Sequence, residues 1–176
     1  MASGSASFRV EDSTAIAVDP RLVERFVLDA GCFALWHRGV AGTPRTSTPV
    51  LQTGTFVEFT GRVGPLRFPY VTIVSEHEPG GRLVLRTTRG LVDLLATTTW
   101  SGTDGGTRVR VVVDGRSTAA KAWTVRWAER IVARNLRLEL ADLKGLLESG
   151  RFEFTVPSQL TPHPPRCTQD PPPDLF

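Results

Sequence analysis

The sequence predicts an α+β protein in which an antiparallel β-sheet has one face covered by a single long C-terminal helix. Between Val40 and Ser117 short β-like segments alternate with tight turns, and Thr118–Ser149 carries a helical pattern without proline. The turns contain glycine or proline: Gly64-Pro65, Pro79-Gly80-Gly81, Gly90 and Asp104-Gly105-Gly106. Because tight turns join antiparallel neighbours, whereas parallel strands need long crossovers, we expect an antiparallel meander.

A strand and two short helices are predicted before the meander. Apolar residues at even spacing indicate a first strand over Ser7–Val18. Asp19-Pro20 is typical of a helix start, because aspartate caps free amides and proline at the first helical position loses no hydrogen bond. Gly31 interrupts this helix, and Cys32–His37 forms a second short helical segment.

The strands of the meander are predicted where apolar and polar residues alternate between two turns. They are Thr53–Val63, Leu66–His77, Arg82–Arg89, Leu91–Ser101 and Thr107–Arg116, with Gly42–Pro49 as an edge strand or loop. In the last strand three valines face one side and charged residues face the other, which predicts one solvated and one covered face.

The C-terminal helix divides into two halves. Its core stripe contains Ala122, Val125, Val132, Leu136, Leu140, Leu143 and Leu147. In the N-terminal half Arg126 and Glu129 interrupt this side, which predicts that they point inward into an incompletely filled interior.

A second helical stripe lies on nearly the opposite side, with Trp123, Trp127, Ile131 and Leu138. Exposed tryptophans are unusual, so we expect a partner subunit or the tail to cover them, unless the helix bends. Phe152, Phe154 and Val156 are the candidates from the tail. We expect residues 1–150 to form one domain, followed by a proline-rich, largely disordered segment over residues 151–176.

Composition argues against several functions. The net charge is +3 and the arginines are scattered, which does not favour nucleic-acid binding. The two cysteines, Cys32 and Cys167, lack the spacing of a metal site or a disulfide framework. No segment resembles a signal peptide or reaches the ~18 apolar residues that cross a membrane. We therefore expect a soluble cytoplasmic protein without a metal or cofactor.

The order of elements, together with several local motifs, resembles the SRPBCC superfamily of START-like and polyketide cyclase/dehydrase-like proteins, which have the helix-grip fold. The matching positions are Asp19-Pro20, Val23, Trp36, Gly54, Gly105–Thr107 and Asn135–Ser149, within residues 7–149. The resemblance implies a seven-stranded antiparallel sheet wrapped around the long helix, with a lipophilic cavity between them. Family members bind lipids, hormones, polyketides or quinone-like molecules, and some are cyclases or dehydratases, so the fold does not choose an activity.

Such a cavity needs apolar walls and a few orienting polar groups. The candidate wall residues are Phe59, Phe68, Tyr70, Leu85, Trp100 and Val111, which would otherwise simply fill the core. Arg126 could hold an acidic or carbonyl-bearing ligand and Glu129 could act as acid or base, but at this spacing they could equally form an ordinary helical ion pair.

Three residues are weak catalytic candidates: Glu129, His37 and Tyr70. The Tyr70 hydroxyl could donate to a ligand carbonyl or to water. His37 could shuttle protons, or it could complement the end of a short helix. His77 and His163 are expected to be solvated. The chain lacks the motifs of serine hydrolases, zinc proteases, phosphate-binding loops and dinucleotide-binding folds.

These observations favour a binder or carrier of a lipophilic small molecule such as a lipid, polyketide or quinone-like compound. One alternative is a polyketide cyclase, aromatase or dehydratase that uses one acid/base residue of the cavity, so enzymatic activity is left open. A second is a module that binds itself, as a homodimer, or a partner through Trp123 and Trp127.

Overall fold

The computed structural model describes residues 6–63, 66–90, 92–117 and 122–154. Its strands are β1 (Ala6–Ile16), β2 (Val40–Thr46), β3 (Phe56–Val63), β4 (Leu66–Glu78), β5 (Arg82–Arg89), β6 (Asp93–Thr103) and β7 (Gly106–Ser117). Its helices are α1 (Pro20–Leu28), α2 (Phe33–Trp36) and α3 (Ala122–Ser149). None of the helices that the structure describes is long and apolar enough to cross a membrane.

The strands form one antiparallel sheet in the order β1-β7-β6-β5-β4-β3-β2. The predicted α+β architecture, with its seven strands, two short helices and long C-terminal helix, is confirmed. Gly42–Pro49, which the sequence left open as an edge strand or a loop, overlaps the edge strand β2 (Val40–Thr46). Strand β3 begins after the predicted Thr53, because Gly54 has φ +90° and the Thr55 amide donates to the Gln52 carbonyl in a turn.

Helix α1 closes one end of the sheet. The Asp19 side chain accepts a hydrogen bond from the Arg21 amide at 2.8 Å, which is the predicted cap. Val23 and Phe26 are fully buried. The Thr107 hydroxyl donates to the Val18 carbonyl at 2.7 Å and ties the start of β7 to the segment that leads into α1.

Helix α3 is anchored by its C-terminal half. Four leucines at helical spacing are buried there: Leu136, Leu140, Leu143 and Leu147. At the edge of the sheet the Lys144 Nζ donates to the Ala15 carbonyl at 2.6 Å, and Glu148 accepts from the Ala17 amide at 2.9 Å. Among the described residues, the backbone of α3 lies mainly against β1 and approaches β3–β6 little.

The segment after α3 packs on α1. The Phe152 ring lies 4.8 Å from the Phe26 ring in an edge-to-face arrangement and 5.2 Å from the Phe154 ring. The Arg25 guanidinium lies 3.7 Å from the centre of the Phe154 ring. These two phenylalanines therefore do not cover Trp127 as the sequence suggested, and Val156 lies outside the described residues.

Candidate functional site

The six predicted wall residues share one face of the sheet. The strand register pairs Phe59 with Tyr70, Phe68 with Gly61, Leu85 with Ala96, Trp100 with Val109 and Val111 with Thr98. Because directly paired residues point to the same face, all six lie on the side that also carries the buried core. We call this side the inner face.

Burial changes abruptly along the inner face. Leu83 is 2% exposed, whereas Leu85, two residues further on the same strand, is only half-buried. Trp100 and Val109 are buried beside Leu83. The half-buried inner-face residues lie together at the other end: Phe59, Phe68, Leu85, Leu94 and Ala96. We call these two regions the closed end and the open end.

Aromatic rings line the open end in a row. The Phe33 ring of α2 lies 6.1 Å from Phe59, which in turn lies 5.5 Å from Tyr70 in a stacked arrangement. Phe68 lies 5.7 Å from Tyr70. Rings at these separations attract one another and form a broad apolar surface. The row therefore runs from α2 onto strands β3 and β4.

The Tyr70 hydroxyl is already committed within the protein. It donates to the Val92 carbonyl, and burial raises the pKa of the phenol, partly offset by hydrogen bonds with Thr87 and Val92. A Cβ atom at Gly90 would lie 2.6 Å from the Tyr70 ring, so glycine is needed at that position for the ring to lie there. Tyr70 thus contributes its apolar ring to the open end, while its proton is used elsewhere.

His37 pairs with a carboxylate that the sequence reading did not single out. Its Nδ1 lies 3.3 Å from Oε2 of Glu139 on α3, and its ring lies tilted against the rings of Phe33 at 4.1 Å and Trp36 at 3.8 Å. The other Glu139 oxygen accepts from the Arg38 amide at 2.9 Å and the Gly39 amide at 3.4 Å. Glu139 therefore joins the end of α2 to the middle of α3.

The charge of Glu139 is favoured in spite of burial. Burial alone would raise the pKa of this carboxyl, but the hydrogen bond and charge of His37 together with the two backbone donors outweigh it and lower the pKa. A carboxylate held in this way can orient the histidine ring. The pair has the composition of an acid/base site next to the aromatic row.

Arg126 and Glu129 lie elsewhere. Arg126 is exposed and Glu129 half-buried, and they line a groove of about 460 Å³ between α3 and β1 with Arg9 and Glu11. The inward orientation predicted for Arg126 is wrong, because its position on the helix faces the β1 edge instead of the interior. Among the described side chains no ion pair joins Arg126 to Glu129, and their predicted ligand-binding role stays a prediction.

A second groove of about 490 Å³ lies on the other flank of α3. We call it the rim groove, and it is lined by Arg38, Arg62, Trp127, Ile131, Arg134, Asn135 and Leu138. Trp127 is 50% exposed, so the second stripe of the helix is partly uncovered in this chain. The side chain of Trp123 lies outside the described residues.

The remaining reactive side chains carry structural roles. Burial raises the pKa of the Cys32 thiol to about 11, and its Sγ lies 3.8 Å from the Glu153 carbonyl. His77 is half-buried with its Nε2 3.8 Å from Glu24, not solvated as expected, because α1 packs over the β4–β5 turn. Within the described ranges no three His, Cys, Asp or Glu side chains cluster in a way that could hold a metal ion.

Comparison with solved structures shows the same fold in proteins of very different sequence. A protein from Thermus thermophilus superposes with a TM-score of 0.69 at 13% identity, covering 82% of this chain and all (100%) of that one. A protein of unknown function from Staphylococcus aureus gives 0.66 at 9% identity over 83% and 96% of the two chains. Norcoclaurine synthase from Thalictrum flavum, solved with dopamine and hydroxybenzaldehyde, gives 0.64 at 11% identity over 85% and 90%.

The family comparison covers most of the chain. No curated protein matches the sequence. The family model for polyketide cyclases/dehydrases and lipid transport matches residues 7–148, which span β1 to the end of α3. This range holds the inner face, the His37–Glu139 pair and both grooves. The chain therefore belongs to the polyketide cyclase/dehydrase and lipid-transport family.

Proposed function

We propose that the protein binds a lipophilic small molecule, as a binder or carrier, between the open end of the sheet and the N-terminal half of α3. The observation that carries this proposal is the partial exposure of apolar side chains that face inward. In a filled core Phe59, Leu85 and Ala96 would be buried like Leu83. Apolar walls with few polar groups favour a ligand that is itself largely apolar.

The proposal is tested by filling the space. Ala96 lies between Val113 and Leu85 on the inner face, so Ala96→Phe adds a ring to the open end. Binding of a neutral fluorescent probe such as N-phenyl-1-naphthylamine is expected to weaken about tenfold or more, which corresponds to ~1.4 kcal/mol. The matched control is Ala15→Phe, the same change at an exposed position on β1, which should bind as the unmodified protein does.

Two results would contradict the proposal. One is unaltered probe binding by a folded Ala96→Phe variant, which would place the ligand elsewhere. The other is an unmodified protein that binds no neutral apolar probe and carries no ligand in native mass spectrometry after purification from its own host.

A second candidate function is supported by the His37–Glu139 pair. The His37–Glu139 contact at 3.3 Å lies beside Phe33, a ring of the aromatic row, and this supports an acid/base role next to the proposed ligand. In this reading the protein is a cyclase- or dehydratase-type enzyme, and His37 transfers the proton. His37→Gln would then abolish turnover while leaving probe affinity within about twofold, measured by parallel rate and binding assays. The carrier function is favoured if the unmodified protein shows no detectable turnover and His37→Gln weakens probe binding.

A further inference from the structure

The rim groove combines positive charge with an apolar strip. Trp127, Ile131 and Leu138 lie on one flank of α3, with the exposed Arg134 between them along the helix. Arg62, from the end of β3, also lines the groove. The groove is therefore lined by arginines from two separate elements, α3 and β3, together with apolar residues of α3.

The charges in the rim groove differ in whether they are paired. The Arg38 guanidinium donates to both Asp142 oxygens, at 2.5 and 2.8 Å, so its charge is already neutralised. In the part of the chain that the structure describes, neither Arg62 nor Arg134 forms an ion pair. Two uncompensated guanidiniums favour an anion, which they bind through charge-assisted hydrogen bonds.

We propose that the rim groove binds a single-chain amphipathic molecule by its anionic head group, a phosphate or carboxylate. Arg62 and Arg134 contact the head group, Asn135 supplies an amide, and the chain lies on Trp127 and its apolar neighbours. A concave site with cations on two elements suits one molecule better than a bilayer surface, which needs a protruding face. The site is separate from the open end and does not depend on what fills the interior.

The test measures binding of decyl phosphate by isothermal titration calorimetry, at concentrations below micelle formation. Arg62→Gln and Arg134→Gln are each expected to weaken binding about tenfold, the usual effect of one charge-assisted hydrogen bond. The matched control is Arg108→Gln, which removes the same charge from an exposed position on β7 and should leave the affinity unchanged. Ala96→Phe should also bind decyl phosphate normally, which separates this site from the interior one.

Comparison probes decide between the sources of the anion. Inorganic phosphate alone is expected to bind at least tenfold more weakly, and uncharged decyl glucoside to bind weakly as well. The proposal is overturned if inorganic phosphate or decyl glucoside binds as tightly as decyl phosphate. It is also overturned if Arg108→Gln weakens decyl phosphate binding as much as the groove variants do, or if Ala96→Phe weakens it. Binding only to phosphatidylglycerol vesicles would overturn it in favour of a membrane surface. A dimer that Trp127→Ala dissociates, without decyl phosphate binding, would overturn it in favour of a second copy.

Discussion

The closed and open ends of the sheet are made from similar residues but differ in packing. At the closed end Leu83, Trp100 and Val109 are buried in one core cluster with the leucines of α3 and residues of α1. At the open end Leu85 and Ala96 face the same way on the same strands, yet solvent reaches them. The residues at both ends are apolar, so the difference in burial comes from how much of the rest of the chain packs over each end.

Helix α3 shows the same division along its length. Leu136, Leu140 and Leu143 are buried at the closed end, whereas Ile131, Val132 and Ala133 are half-buried in the N-terminal half. Val125 is the buried exception in that half, and the inner-face side chains of the open end are only partly covered. One half of the helix stabilises the fold, and the other half borders the ligand site that we propose.

The largest expected effect is a difference in the free energy of unfolding between two leucine-to-alanine variants on β5. Leu83→Ala removes a fully packed side chain and should lower the free energy of unfolding by about 3 kcal/mol. Leu85→Ala removes a side chain that already borders space and should cost about 1 kcal/mol. Urea unfolding of both variants measures the two values. Equal losses would mean that the two ends are packed alike.

The next effect concerns Glu139, which joins the end of α2 to α3. Because the pKa of Glu139 is lowered in the folded protein, its contribution to stability is present above the ordinary carboxyl pKa and is lost as the pH falls from about 4 downward. Glu139→Gln should cost about 2 kcal/mol at neutral pH, because His37 and two amides lose a charged acceptor.

The same variant should lose less stability than the unmodified protein between pH 5 and about pH 3, since the titrating group is gone. Glu58→Gln, an exposed change of the same kind on β3, serves as the control. Denaturant melts at several pH values measure both quantities. A Glu139→Gln variant with the pH dependence of the unmodified protein would show that folding does not lower the pKa of this carboxyl.

The smallest expected effect is at Trp127, in the rim groove. Trp127→Ala should change the free energy of unfolding by less than about 0.5 kcal/mol, because the side chain is half exposed. Chemical unfolding measures this change, and light scattering shows whether the mass also changes. A loss of several kcal/mol would mean that Trp127 is covered in solution.

The fold was predictable because its signals are local. Alternation and turn residues place β5 at Arg82–Arg89, as predicted, and Asp19-Pro20 starts α1. The sequence named Phe59 and Tyr70 as wall candidates without fixing their strand faces, and the register shows that the two residues share a face. Strand ends were less certain where a turn replaced extended backbone, as at Gly54.

The polar part of the site could not be predicted in the same way. Whether Arg126 faces the interior depends on how α3 is rotated against β1, and the residues on its own helix do not determine that rotation. Glu139 accepts from His37, Arg38 and Gly39, which are about 100 residues away in sequence. In the sequence the only sign was that Glu139 lies between Leu138 and Leu140. This sign became informative only when the structure showed His37 beside the carboxylate.

The most direct test of the two-ended inner face is methyl-resolved NMR during titration with the neutral probe. We expect the methyl signals of Leu85, Leu94 and Ala96 at the open end to shift, while those of Leu83 and Leu143 at the closed end stay in place. Shifts confined to Leu138 and Ile131 in the rim groove, or spread evenly over both ends, would contradict the account.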